Sequence, residues 1–295
     1  MANKNVKVCY SVDFDAVAGW LGRPTRAESI CEVSRGVWAA QVGMLNILDV
    51  FKRYNIKTTC FIPGHTIETF PNECQRIVDE GHEIALHGYT HENIKAMNPE
   101  QEEKVLVRSI AVVKGFTGKK PVGYRSPGWE FTSATADLLI KHGILYDSSL
   151  MHRDFEAYYV RTGDKWYLID YTKDPETWMK PMKFGEEVDL VEIPPNWHLD
   201  DFPPLAYIRD SGGKTFGWAS PEVIFDMWKA QFDFLYRKGE GIFPLTVHPD
   251  TSGRPDVIIM LHERLIPYIM NHSGVTFCTY EEYAQEWKAN HPRKK

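Results

Sequence analysis

Short apolar, β-branched runs alternate with longer segments whose apolar residues recur every three or four positions, and this rhythm persists along most of the chain. Strand-like runs fall at 6–14, 58–62, 83–87, 122–125, 144–146, 188–193, 242–247 and 275–278. Helix-like segments are predicted between them at 36–54, 71–80, 99–116, 133–142, 221–238, 256–271 and 280–288. In the first of these, Val37, Ala40, Met44, Ile47 and Phe51 make a single stripe. Pro99 opens a helix at its first position, and Gly81 and Gly143 close two others. Repeated strand–helix units imply parallel strands joined by helical crossovers. Eight strand candidates predict an irregular (β/α) barrel of seven or eight parallel strands rather than an open sheet. No linker, repeat or low-complexity tract divides it, so one domain over 1–295 is expected.

Composition narrows the function. With 34 Lys+Arg against 40 Asp+Glu the net charge is −6, which lacks the basic face that nucleic-acid binding needs. No apolar run approaches the roughly 20 residues of a membrane helix. The first residues enter a strand pattern directly, so no cleavable signal segment is expected. Five cysteines form an odd set without a CxxC pair, which suits a reducing compartment, so a cytoplasmic location is expected. The stretch 152–182 breaks the rhythm. It holds Tyr158, Tyr159, Trp166, Tyr167, Tyr171 and Trp178, which suit sugar stacking, a pocket cover or a subunit interface.

In (β/α) barrels the site lies at the C-terminal ends of the strands. There the sequence places Asp13 and Asp15, His87 and His91, Arg125, Asp147, Asn196-Trp197-His198 and His248. In Asp13-Phe14-Asp15 the acids are two residues apart and can face one side of a strand end; turn chemistry is the competing reading. His87 and His91 are four apart and can meet one metal on a helix or at a strand-to-helix junction, although a surface or capping role for His91 fits as well. Two His and one Asp make a catalytic Zn²⁺ ligand set that leaves a position for water, and they serve other divalent ions too. Two neighbouring carboxylates resist joint ionisation unless cations intervene. A metal on Asp15 and the guanidinium of Arg125 near Asp13 would provide them, while a loop-bridging Arg125 is the alternative. His248 ends an apolar strand at a proline; a buried, hydrogen-bonded role competes with proton transfer. His65 follows the second strand, where it either lines the pocket or serves a turn. Asp147, with Ser148 and Ser149, is expected to fix a loop.

Together Ser11-Val-Asp-Phe-Asp15, His87-Gly-Tyr-Thr-His91, Arg125-Ser-Pro-Gly-Trp129, Tyr146-Asp-Ser-Ser149 and Leu245-Thr-Val-His248 resemble the polysaccharide deacetylase family, carbohydrate esterase family 4. That resemblance implies a metal-dependent hydrolase of amide carbon–nitrogen bonds. It implies Asp13 as base, Asp15, His87 and His91 as ligands of one divalent ion, with Zn²⁺ the first choice, Arg125 as orienter of the base and His248 as general acid. Phe14 separates aspartates that are usually adjacent in the family. This variant, with 15–22 and Trp197-His-Leu-Asp-Asp-Phe202, is similar to a branch of intracellular peptidoglycan-deacetylase-like proteins and allantoinase-type imide or ureide hydrolases. Trp129, Trp197, His198 and His65 are the substrate-pocket candidates, and His198, Asp200 and Asp201 either touch substrate or belong to a solvated loop. The expected partners are a small-molecule or glycan amide and further copies of the chain, as a dimer or tetramer. The remaining readings are ring opening of a cyclic imide or ureide and, remotely, a non-catalytic binding protein.

Overall fold

A computed structural model describes residues 4–22, 29–209 and 215–293. The predicted alternation becomes a curled nine-stranded sheet: β1 (Asn5–Asp13), β2 (Thr59–Ile62), β3 (Glu83–Leu86), β4 (Gly123–Tyr124), β5 (Tyr146–Asp147), β6 (Tyr158–Thr162), β7 (Glu186–Glu192), β8 (Glu240–Val247) and β9 (Val275–Phe277). Its order is β8-β1-β2-β3-β4-β5-β7-β6, with β9 on the lower half of β1. Within this sheet every described ladder is parallel except β6–β7. All eight expected strands are present. The antiparallel β6 is additional and occupies the start of the aromatic stretch that broke the rhythm. Between β7 and β8 the wall narrows to a bridge between Asp200 and Thr246 and a bond from Ile242 N–H to Phe155 O (2.9 Å), and there the barrel is irregular.

Period-two alternation sorts the core into two layers. Val8, Tyr10 and Val12 of β1 pack with Cys60, Ile62, Ile84 and Leu86 against the surrounding helices. Cys9, Phe61, Ala85, Tyr146, Val191 and Tyr280 fill the barrel interior. Ser11 and Asp13 share the inward face of β1 with Cys9, so the strand runs from apolar packing to a carboxylate at its C-terminal end.

The predicted helix 36–54 begins earlier, at α1 (Ile30–Trp38), and continues into α2 (Met44–Arg53) through a π-helical turn, Ala39–Gly43. A Cβ at Gly43 would stand 2.2 Å from the Pro249 carbonyl oxygen, so this widened turn lies directly against the chain that follows β8. Arg254 stacks on Trp38 beside it, 3.5 Å from the ring centre. The last helix, α3 (Tyr280–Asn290), starts at a capping box of Thr279 and Glu282. No described helix is long and apolar enough to cross a membrane.

Candidate active site

Asp13 is the last residue of β1, and its side chain is 2% exposed. Its Oδ1 accepts from Arg125 Nη1. Arg125 is wholly buried, and each of its nitrogens has a partner: Ser11 Oγ (3.0 Å), Ser148 O (3.2 Å), Ser148 Oγ (3.0 Å) and the Tyr280 hydroxyl (3.2 Å). The guanidinium also lies 4.0 Å over the Phe61 ring. Burial would lower its pKa, but Asp13 and Tyr280 raise it, so the charge is secure. With Oδ1 held, Oδ2 points to the rim, 3.9 Å from His87 Nε2 and 3.9 Å from His248 Nε2.

Asp15, His87 and His91 supply donor atoms that all lie within 4.8 Å of one another. His87 Nδ1 is 2.8 Å from the Arg125 carbonyl oxygen, to which it donates as N–H, so Nε2 presents a lone pair. That lone pair lies 3.3 Å from Asp15 Oδ1, a buried oxygen with no hydrogen-bond partner among the described residues. His91 Nε2 lies 3.4 Å from Asp15 Oδ2. An unpartnered carboxylate oxygen facing the His87 lone pair, with the His91 ring beside it, is the electrostatic signature of a cation cradle, and the residues fit a divalent ion on that ground.

The loop that carries the two histidines is neither the helix nor the strand-to-helix junction expected from their spacing. Gly88 (φ +69) and His91 (φ +58) are left-handed, and Glu92 pins the turn by accepting from Tyr89 N (3.0 Å), Thr90 N (2.7 Å) and Thr90 Oγ1 (2.7 Å). A non-glycine residue in that conformation is strained, as functional loops often are. A Cβ at Gly19 would meet Asp15 Cβ at 3.0 Å, so the short helix Ala18–Leu21 rides against the Asp15 side chain.

Opposite stands His248, just beyond β8. Its Nδ1 donates to Asp201 Oδ1 (2.8 Å) and lies 3.4 Å from Asp200 Oδ1, so Nε2 faces the site. Burial would lower its pKa, but Asp200 and Asp201 push it well above the ordinary histidine value. Asp200 itself is pushed up to about 7, by burial first, with Asp201 adding and His248 opposing. Asp200 and Asp201 are thus buried partners of His248 and form no solvated loop. Sequence reasoning noted their segment but not this role, because the contact depends on the bridge to Thr246 across the barrel wall.

Trp129 and Trp197 come together as a stack with centroids 4.1 Å apart; the first is buried beside Arg125 and the second exposed. His198 is exposed, and its backbone N–H donates to Asn196 Oδ1 (2.9 Å). His65 is half-buried, with its N–H bonded to Tyr89 O (2.8 Å). Neither borders the cavity over Asp13 and Asp15, which is walled by Gly19, Trp20, Phe202 and Asp250. Asp147 holds the Ser149 N–H (3.1 Å) and hydroxyl (2.8 Å). In the 152–182 stretch, Tyr158 and Tyr159 are buried in β6, while Trp166, Leu168, Ile169 and Tyr171 are exposed.

A parallel α/β barrel with Asp, His and Arg gathered at one rim defines the class, and the protein belongs to the polysaccharide deacetylase family. The family's model, described as "Polysaccharide deacetylase", matches residues 41–146. A peptidoglycan deacetylase of Helicobacter pylori is 50% identical over 293 residues, spanning 99% of both chains. A solved Mycobacterium smegmatis protein assigned to the polysaccharide deacetylases is 30% identical with a TM-score of 0.83, over 99% of this chain and 94% of the other. An allantoinase of known structure shares the fold at a TM-score of 0.76 and 21% identity, over 99% and 93%. Membership makes the chain a deacetylase-type hydrolase of amides.

Proposed function

We propose that the protein is a metal-dependent amide hydrolase that removes acetyl groups from an N-acetylated glycan. One observation carries this reading: Asp13 Oδ2 lies 3.9 Å from an imidazole of the cation cradle and 3.9 Å from the imidazole of His248. A proton acceptor therefore stands between a metal position and a proton donor. Asp15, His87 and His91 would hold the ion, with Zn²⁺ favoured by this donor set. When bound, the ion acidifies water and polarises the substrate carbonyl.

The chain's own groups do the rest. Asp13 Oδ2 takes the proton from the attacking water. Arg125 fixes the orientation of Asp13 through Oδ1. His248, protonated because Asp200 and Asp201 hold it so, donates from Nε2 to the departing nitrogen. An amide nitrogen is a poor leaving group, so such an acid is required. The deacetylase relative at 50% identity supports acetyl amides as the substrate class.

A second reading, ring opening of a cyclic imide or ureide, is favoured by the small space over Asp13 and Asp15. Gly19, Trp20, Phe202 and Pro249 wall that space. Zinc-reconstituted protein assayed on chitooligosaccharides, succinimide, hydantoin and allantoin separates the two. Acetate release supports deacetylation and a ring-opened acid supports the second reading. A protein that binds stoichiometric zinc and hydrolyses none of them is a binding protein, and both readings fall.

A further inference from the structure

One wall of the cavity carries a carboxylate that the proposed chemistry does not use. Asp250 belongs to the short helix Pro249–Ser252, immediately after His248. Its side chain is 9% exposed and borders the same cavity as Asp13 and Asp15. Its Oδ2 is buried and has no hydrogen-bond partner among the described residues. Arg35 Nη2 is 3.7 Å away, beyond hydrogen-bond reach. Nor is Arg35 at liberty to close that gap. Its Nη1 donates to Glu32 Oε2 (3.0 Å) and to the Tyr207 carbonyl (2.8 Å), and its guanidinium packs 4.2 Å over Trp20.

A buried carboxylate oxygen without a donor is costly, and folded proteins retain such atoms chiefly where something else supplies the donor. Arg35 balances part of the charge from 3.7 Å but gives Oδ2 no hydrogen bond, and Asp250 borders the cavity that Asp13 and Asp15 also line. The backbone around it is not free to drift. The π-helical turn at Ala39–Gly43 presses on the Pro249 carbonyl, and Gly253 N–H bonds the same oxygen (3.2 Å).

We propose that Asp250 is a substrate-recognition residue, whose Oδ2 accepts a hydrogen bond from an N–H or O–H group of a compact substrate with its reacting carbonyl near Asp13 and Asp15. This rests on the reading of that centre as an amide hydrolase. The donor is the second ring N–H of a cyclic ureide, or a hydroxyl of an N-acetylated sugar. Sites built around such a bond reject analogues lacking the donor, because the site's own polar atom is then left unpaired.

Calorimetric binding to zinc-loaded Asp13→Asn protein, in which turnover is blocked, tests the assignment. The probes are hydantoin against 1,3-dimethylhydantoin, and N-acetylglucosamine against its O-methylated derivative. At least one donor-bearing probe is expected to bind about tenfold or more tightly than its methylated partner. Adding Asp250→Ala should erase that preference, Asp250→Asn should retain part of it, and zinc content should stay stoichiometric in both. The pair showing the preference identifies the donor as ring N–H or sugar hydroxyl. No preference in either pair overturns the assignment, as does a preference that survives Asp250→Ala or a loss of zinc on either substitution. Hydrolysis is read separately with unmodified Asp13. If no probe is turned over while the Asp250-dependent preference persists, the amide-hydrolase reading fails and the recognition role stands.

Discussion

Two Asp/His triplets occupy the same rim, and by composition alone they are nearly interchangeable. Asp15, His87 and His91 form one; Asp200, Asp201 and His248 form the other, and in each the donor atoms cluster within 4.8 Å. Their hydrogen bonding separates them. Asp201 accepts from the His248 N–H and Nδ1 and from the hydroxyls of Thr251 and Ser252. Asp200 accepts the Phe202 N–H (2.9 Å). Asp15 leaves Oδ1 without any such partner. A satisfied carboxylate pair steadies a protonated imidazole, whereas an unsatisfied carboxylate facing an imidazole lone pair calls for a cation. Residue identity does not decide between an ion cradle and a proton donor; the surrounding donors do.

Substituting the aspartate at the heart of each triplet exposes the difference most sharply. Asp15→Ala is expected to lose zinc by elemental analysis and activity to background, whereas Asp201→Asn should keep its zinc. Zinc lost from both would make the triplets equivalent. Next in size, Asp13→Asn should retain metal while kcat falls by roughly 10²–10⁴-fold, the range of general-base catalysis; near-normal turnover would remove Asp13 from its role. His248→Gln should lower kcat by about 10²-fold or more on unactivated amides, and by less on a substrate with a good leaving group.

A smaller effect concerns pH. Asp200 and Asp201 raise the pKa of His248, so its proton is retained above the ordinary value near 6.5 and lost as pH rises through the raised one. The alkaline limb of kcat should therefore move to lower pH in Asp201→Asn, and an unmoved limb would uncouple the pair. The stability linked to this contact has the same sign: complete below about pH 6.5, it declines through the raised native pKa. Smallest of all, chelation should lower Tm by a few degrees in the parent protein, since about 2.7 kcal/mol of linkage accompanies ligand at 100 times Kd. Asp15→Ala should show no such shift.

Much of the fold was legible because strand ends and helix punctuation are local signals. The eight parallel strands begin close to where the β-branched runs begin, and the inward face of β1 follows from strict alternation through Cys9, Ser11 and Asp13. Long-range pairings were not legible. Nothing local announces that Asp201 will meet His248, 47 residues away, or that Asp250 will face the cavity. The left-handed turn at His91 was missed because HxxxH spacing suits a helix equally well, and Glu92, which pins that turn, looks like any surface acid. β6 was hidden because an antiparallel edge strand within an aromatic stretch has no crossover helix to mark it.

The wiring of Arg125 ties the rim to a distant part of the sequence. One of its fixed partners, the Tyr280 hydroxyl, belongs to α3 and lies 155 residues away along the chain. The ring beneath that hydroxyl is wholly buried and packs edge-on against Phe61, with centroids 5.4 Å apart. The aim of the Asp13 carboxylate is therefore coupled to the seating of a helix that contributes nothing else to the rim.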